Sequence, residues 1–176
     1  METQPTSVKK IALNYGVLLA LLSIVLQVIS YVLDAHIDRP WWLTVLQLVI
    51  SVGVISYGIK AYKASNAGYL TLGQALKTGL AISIVAGIIA VIFNYIFMNY
   101  IDPNFVQNTL DFSREQMIEQ NPNMTEEQIK VAMDMSAKFM SPLIMSAFAL
   151  IATLFFGFII SLFAGLIMKK NPPQQI

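Results

Sequence analysis

Four long apolar windows dominate the chain and are separated by short polar segments and one long one. The windows cover residues 11–33, 41–59, 79–101 and 143–168, and none contains an acidic residue, a lysine, an arginine or a histidine. Since the hydrocarbon core of a bilayer is about 30 Å thick, a spanning helix needs about 20 apolar residues. The first window is too long for a signal peptide, so we expect it to stay in the mature protein. The pattern predicts an all-α integral membrane protein with four transmembrane helices in one domain, residues 1–176.

The polar segment 102–142 lies between the third and fourth windows and is too long for a simple loop. Its pattern predicts two helices, the first beginning with Asp102 as N-cap and Pro103 in the first helical position. The second begins at Thr125, where Thr-Glu-Glu-Gln fits a capping box. A second box, Thr71-Leu72-Gly73-Gln74, predicts that the third spanning helix begins ahead of its apolar window. We therefore expect a helical hairpin inserted between the third and fourth spans.

Composition and charge place this protein in a membrane with a defined orientation. Hydrophobic residues make up 56% of the chain and charged residues only 12%, where a soluble domain has roughly 25% charged residues. One predicted side carries seven lysines and one glutamate, a net charge of +6, and the other carries nine acids and four bases, a net charge of −5. Because lysine-rich short loops stay cytoplasmic, both termini are predicted inside and the hairpin outside, as in a bacterial inner-membrane protein.

A nine-residue pattern occurs twice, as GLAISIVAG in the third span and GFIISLFAG in the fourth. Its small residues recur every four positions, so each set lies on one helix face. The two sets are Gly79, Ser83 and Gly87, and Gly157, Ser161 and Gly165. Small residues let membrane helices approach closely, so we expect the third and fourth spans to pack directly through these faces. Chance repetition, or packing of one face against another helix, is the alternative.

The segment between the second and third spans resembles a known family. The stretch YGIKAYK is followed by GYLTLGQALKTG, and Asp102-Pro103 follows the third span. Within the longer stretch, the positions that carry the resemblance are Gly68, Gly73, Ala75, Lys77 and Gly79. Together these features resemble an uncharacterised family of small bacterial membrane proteins, domain of unknown function 4199. The resemblance implies a four-helix inner-membrane protein and carries no activity or catalytic residues.

Residues that could support catalysis or metal binding are few. The chain has no cysteine, which excludes thiol catalysis and thiolate metal sites. Asp34, His36 and Asp38 alternate in a short loop and could hold a divalent cation, but a hydrated loop explains them better. Seven of the nine methionines lie on or near the predicted outer side and could bind copper, yet methionine is also an adaptable packing residue. We expect no cofactor, no metal, no nucleic-acid partner and no enzymatic activity.

Two function classes remain after these exclusions. We expect a non-enzymatic inner-membrane scaffold or accessory protein whose outer hairpin contacts a partner protein or the lipid surface, with homo-oligomers also possible. The alternative is a small oligomeric transporter or channel lined by polar residues within the spans. The candidates for that lining are Asn14, Gln27, Ser30, Gln47, Asn94 and Asn99. We favour structural hydrogen bonds for these side chains, because four helices close on their side chains and leave no evident pore.

Overall fold

A computed structural model describes residues 7–172 of the chain. The two ends predicted to be cytoplasmic, residues 1–6 and 173–176, lie outside the described residues. Residues 7–172 form six α-helices in sequence, and four of these are long and apolar enough to cross a membrane by length and composition. The helices are α1 (Val8–Val32), α2 (Trp41–Ser65), α3 (Leu72–Ile96), α4 (Phe105–Gln120), α5 (Glu126–Phe139) and α6 (Pro142–Met168). The four predicted apolar windows thus correspond to α1, α2, α3 and α6, although α2 continues six residues past its window.

Local sequence signals account for several helix starts. Thr71 and Thr125 form the two predicted capping boxes, each Thr hydroxyl accepting from a backbone N–H while a Gln side chain accepts from the Thr N–H. These reciprocal bonds satisfy amide groups that a helix start leaves free. α6 begins with Pro142 in its first turn, where the missing N–H of proline costs nothing. Both capping-box predictions are confirmed.

The start of α4 differs from the prediction. Asp102 does not cap this helix, because α3 ends in a π-helical turn, Phe97–Ile101, and Asp102 closes that turn by donating its N–H to Phe97 O at 2.8 Å. α4 begins three residues later, after Asn104, which makes no side-chain capping bond. The prediction that Asp102 is the N-cap and Pro103 the first helical residue was therefore wrong. The Asp102 side chain contacts a different partner, described below.

The core forms where the four long helices meet. α3 packs against both α1 and α6, and α2 packs against all three of the others. The fully buried apolar residues are Ile59, Leu70, Ala75 and Ile82, with Ile55 2% exposed. Most of the buried residues of α2 lie in its second half, from Val54 to Ile59, whereas its first half buries only Leu43. α2 is therefore held tightly at one end and more loosely at the other.

Hydrogen bonds tie the α2–α3 loop and the last residues of α2 to the end of α6. Leu70, in the α2–α3 loop, exchanges two backbone hydrogen bonds of 2.8 Å with Lys170 after α6. Lys63 donates from Nζ to Met168 O at 2.8 Å, satisfying a carbonyl that the helix end leaves free. The loop turns through Ala67 and Gly68, both with positive φ. These contacts fix the C-terminal end of α6 against α2 and the start of α3.

Candidate functional site

The two repeated motifs face each other where α3 packs on α6. A Cβ atom built on Gly79 would overlap Ser161 Oγ, and one built on Gly157 would overlap Ser83 Oγ. Each serine is 0% exposed and rests against the glycine of the opposite motif. The contact is thus serine against glycine, in two reciprocal pairs. This close approach requires glycine at both positions, because any side chain would force the helices apart.

The outer members of the motifs extend the same interface. A Cβ on Gly87 would lie 2.7 Å from Leu150 Cδ1, and one on Gly165 would lie 2.8 Å from Ala75 Cβ. All six predicted residues therefore lie at the α3–α6 contact. Ser83 and Ser161 donate their hydroxyls to carbonyls one turn back in their own helices. Both hydroxyls are thus hydrogen-bonded within their own helices. The interface is therefore a packing surface and offers no exposed reactive group.

A histidine–carboxylate pair joins the α1–α2 loop to the base of the hairpin. His36 Nε2 lies 3.1 Å from Asp102 Oδ2, and the two side chains are only 12% and 10% exposed. His36 Nδ1 is buried without a hydrogen-bond partner among residues 7–172. In a neutral ring, an N–H on Nε2 would donate to the carboxylate and leave Nδ1 as a bare acceptor. The pair satisfies a carboxylate that would otherwise be buried without a partner.

Aromatic rings enclose this pair. Tyr31 of α1 lies edge-on to His36 with ring centroids 4.9 Å apart, and Phe105 of α4 stacks on the other side at 6.2 Å. Phe97, in the π-helical turn, is 1% exposed and contacts both Tyr31 and Phe105. Residues from α1, the first loop, the π-helical turn and α4 therefore form one cluster. We call it the hairpin anchor, because it holds the first turn of the hairpin against the bundle.

The hairpin anchor is a structural element, and the sequence prediction missed it. His36 was considered with Asp34 and Asp38 as a cation site, but its ring nitrogen contacts Asp102, 66 residues away. Both Asp34 and Asp38 are exposed. No group of three potential metal-ligating side chains occurs within residues 7–172. The only signal in the sequence was the position of both partners next to the ends of apolar windows, which does not reveal pairing.

Two glutamine side chains inside the long apolar helices bond to neighbouring helices. Gln27 Nε2 of α1 donates to Asn94 Oδ1 of α3 at 3.1 Å. Gln47 Nε2 of α2 donates to Ser23 Oγ of α1 at 2.9 Å and also to Ser51 Oγ, one turn along its own helix, at 3.3 Å. Such bonds stabilise membrane helix pairs by about 0.6 kcal/mol on average. The amides of Gln27 and Gln47 therefore link α1 to α3 and α1 to α2.

An open cavity lies between α4 and α5, the two helices of the hairpin. It has a volume of about 610 Å³ and lies between residues 107–114 of α4 and residues 126–137 of α5. Its apolar floor consists of Leu110, Ile129, Met133 and Ala137. Its charged rim consists of Asp111, Arg114, Glu126, Glu127, Lys130 and Asp134, with Gln107 at one end. We call this feature the hairpin groove.

Few contacts hold α4 and α5 together across the hairpin groove. Arg114 and Glu126 form an ion pair of 3.6 Å whose side chains are 52% and 87% exposed, so solvent screens it and it contributes little. Of the α5 residues only Ile129 is buried, and α4 buries none. At its far end α5 contacts α6 through an edge-on pair of Phe139 and Phe148 with centroids 6.5 Å apart. The groove is therefore an open surface between two helices that are anchored at their bases.

Comparison with known proteins identifies one family. No curated protein and no solved structure matches the chain at a significant level. A family model described as protein of unknown function, DUF4199, matches residues 14–170, which include most of α1, all of α2, α3 and α6, the hairpin anchor and the hairpin groove. Because the match covers most of the chain, this protein belongs to the DUF4199 family of proteins of unknown function.

Proposed function

We propose that this protein is a non-enzymatic scaffold or accessory protein of a bacterial inner membrane, and that its hairpin groove binds a partner protein on the extracytoplasmic side. One observation carries the proposal: a cavity of about 610 Å³ with an apolar floor and a charged rim lies between α4 and α5. An apolar strip bordered by charges is the usual form of a groove that receives a helical segment. The four long helices then serve to hold this surface at the membrane.

The charge of the hairpin favours a basic partner segment. The rim carries four acids and two bases, and residues 102–142 carry seven acids and three bases in all. Anionic phospholipid headgroups repel a surface of this sign, whereas lysine and arginine side chains are attracted to it. A protein segment with basic residues on one face and apolar residues on the other therefore fits the groove better than the lipid surface does.

The apolar floor would provide most of the binding free energy. Ile129 and Met133 lie one turn apart on α5, opposite Leu110 of α4, so they can receive residues spaced three or four apart on a partner helix. Met133 adds adaptability, because its unbranched side chain adjusts to different contours. Rim charges would mainly set orientation and association rate.

The alternative function, an oligomeric transporter or channel, has less support. Gln27 and Asn94, two of the candidate pathway residues, hydrogen-bond to each other at 3.1 Å. Residues 7–172 also place no acidic or basic side chain within the apolar windows of the spans, whereas transport pathways usually contain ionisable groups. Solute flux through liposomes that contain only this protein would reverse the preference for a scaffold.

Site-specific cross-linking in native membranes tests the proposal. A photoreactive amino acid at Met133, in the groove, should cross-link to a distinct protein, while one at Val131, on the exposed opposite face, should not. The charge reversals Asp111→Lys and Asp134→Lys on the rim together should lower the Met133 cross-link at least about fivefold, because they oppose the attraction of a basic segment.

The matched control reverses two acids outside the groove. Glu115→Lys with Glu119→Lys makes the same change in net charge on the exposed face of α4, away from the cavity lining. It should leave the cross-link intact. Equal losses in both pairs would show that net charge, and not the groove, governs contact. Cross-links from Met133 to lipid alone would show that the hairpin groove contacts the membrane surface and not a protein partner.

A further inference from the structure

A second cavity lies among the long helices, away from the hairpin groove. It has a volume of about 250 Å³ and is lined by all four long helices. Its floor contains Ala20, Ser83, Ala86 and Gly157, which are small, and Ile55 and Ile160 close one end. It exists because α2 packs closely only in its second half, while small residues on α3 and α6 leave space opposite its first half. We call it the bundle cleft.

The mouth of the bundle cleft opens sideways, between α2 and α6. Leu48 on α2 and Ala152 and Phe156 on α6 line the cleft and are exposed at the bundle surface. This surface consists of apolar spans that would face lipid in a membrane. A ligand would therefore enter from the hydrocarbon phase without crossing the polar ends of the bundle.

Unused hydrogen-bonding atoms lie near the hairpin end of the cleft. Gln47 donates to Ser23 and Ser51, but its Oε1 atom accepts no hydrogen bond from any residue that the structure describes. The Ser23 hydroxyl accepts from Gln47 and has no acceptor of its own within residues 7–172. By contrast, the Ser83 and Thr153 hydroxyls both donate to carbonyls of their own helices. Gln47 Oε1 as an acceptor and the Ser23 hydroxyl as a donor thus remain available, and the hydroxyl of Thr44, which also lines the cleft, makes no hydrogen bond among residues 7–172 either.

The cleft is polar at one end and apolar at the other. Its α2 wall runs from Thr44 to Ile55, which is eleven helical rises or about 16 Å of helix. Gln47 and Ser23 lie toward the hairpin end, and Ile55 and Ile160 lie at the opposite end. No charged residue lines the cleft. A ligand that matches this distribution has an uncharged hydrogen-bonding head and an apolar tail.

We propose that the bundle cleft binds one single-chain neutral amphiphile, a monoacylglycerol-like lipid, with its hydroxyl on Gln47 and Ser23 and its chain directed toward Ile55. A protein cavity of about 150 Å³ accepts a benzene ring, so about 250 Å³ accommodates roughly ten carbon atoms of a chain. A diacyl lipid is too large to enter whole. Water alone would not fill the cleft stably, because a buried water needs two to four polar partners and the floor of the cleft is mainly apolar. This site goes beyond the proposed function and does not depend on it.

Photolabelling of the purified protein in detergent tests the proposal. The probe is monodecanoylglycerol with a diazirine at the end of its chain, and the labelled residues are mapped by mass spectrometry. Labels should concentrate on the peptides containing Ile55 and Ile160, saturate at one probe per chain, and be displaced by unlabelled monodecanoylglycerol. Labels spread over the exposed faces of all four long helices, without saturation, would overturn the site.

Two substitutions on the same helix provide a matched pair. Ala152→Trp places a large ring in the mouth of the cleft and should lower labelling of Ile55 at least about tenfold. Ile151→Trp adds the same ring at the adjacent, 63% exposed position and should leave labelling unchanged. Equal labelling of the two variants would contradict entry through this mouth. If Ala152→Trp does not fold, displacement by the unlabelled lipid in the unmodified protein decides the question.

The role of the amide is tested with a second probe. Gln47→Leu should lower the affinity of the monodecanoylglycerol probe about fivefold, the effect of losing one hydrogen bond. It should leave the affinity of a diazirine-bearing methyl decanoate unchanged, because that ester has no hydroxyl to donate. Equal losses for both probes would show that Gln47 only shapes the cleft, and no loss for either would remove it from the site.

Discussion

The contact between Gly79 and Ser161 gives the sharpest prediction, which concerns Gly79→Ala. The added methyl would lie 2.7 Å from Ser161 Cβ and 3.2 Å from Ile55 Cγ2, and it would overlap the Ser161 hydroxyl oxygen. Rotating that hydroxyl does not relieve the contact with Ser161 Cβ. Accommodation therefore requires α3 and α6 to move apart.

The size of the effect follows from the required movement. Carbon atoms contact one another favourably at about 3.5–4.0 Å, so the helices must separate by roughly 1 Å at this point. The neighbouring pair, Gly157 against Ser83, lies in the same interface and would also open. A gap of 0.5–1 Å forfeits about a quarter to a half of each contact's attraction. We expect Gly79→Ala to lower the free energy of unfolding by about 1–3 kcal/mol, as overpacking usually does.

Gly53→Ala is the matched control for this prediction. It makes the same change inside a long apolar helix, but a Cβ at Gly53 would meet nothing within 4 Å. Because alanine favours helix over glycine by up to about 1 kcal/mol, this variant should be neutral or slightly more stable. Equilibrium unfolding by sodium dodecyl sulfate in mixed micelles, followed by circular dichroism, measures both variants. Equal free energies for the two would refute the reasoning.

A double mutant separates the contact from other effects of Gly79→Ala. Combining it with Ser161→Gly removes the atoms that the new methyl overlaps, so the double mutant should regain at least about 1 kcal/mol relative to the sum of the single changes. Additive losses would mean that the destabilisation arises elsewhere on α3. A coupling of this sign would also support the described register of α3 against α6.

Three further predictions concern the hairpin and the topology. Single cysteines at Asn121 and Asn66 in this cysteine-free chain should react with an impermeant thiol reagent on intact cells at residue 121 only, and the reverse pattern would overturn the predicted orientation. His36→Phe should lower the free energy of unfolding by about 1–3 kcal/mol, because it leaves the Asp102 carboxylate buried without a partner. The Asp102→Asn variant keeps an acceptor and should lose less stability. Equal losses in the two variants would contradict a hydrogen-bonding role for the pair. Thr125→Ala should speed hydrogen exchange in the first turn of α5 about fivefold by removing a cap, with unchanged exchange in α4 as the internal control.

The sequence alone determined features that depend on neighbouring residues. Apolar windows of bilayer length predicted the four long helices, since length and hydropathy decide whether a segment can span. Thr71 and Thr125, each followed three residues later by glutamine, predicted two helix starts, because capping bonds close within one turn. Spacing by four placed the small residues of α3 and α6 on single faces. Each of these signals lies within one or two helical turns.

Only the tertiary structure decided which distant residues meet. His36 and Asp102 are 66 positions apart, and the Asp102 side chain contacts His36 instead of capping α4 as its local sequence predicted. The contact of each serine with the glycine of the opposite motif depends on the relative height and tilt of α3 and α6. The sequence pattern of a single helix does not determine that height or tilt. The bundle cleft depends on α2 packing closely at one end only. Such features arise from the simultaneous fit of four surfaces, whereas hydropathy and capping act within a single segment.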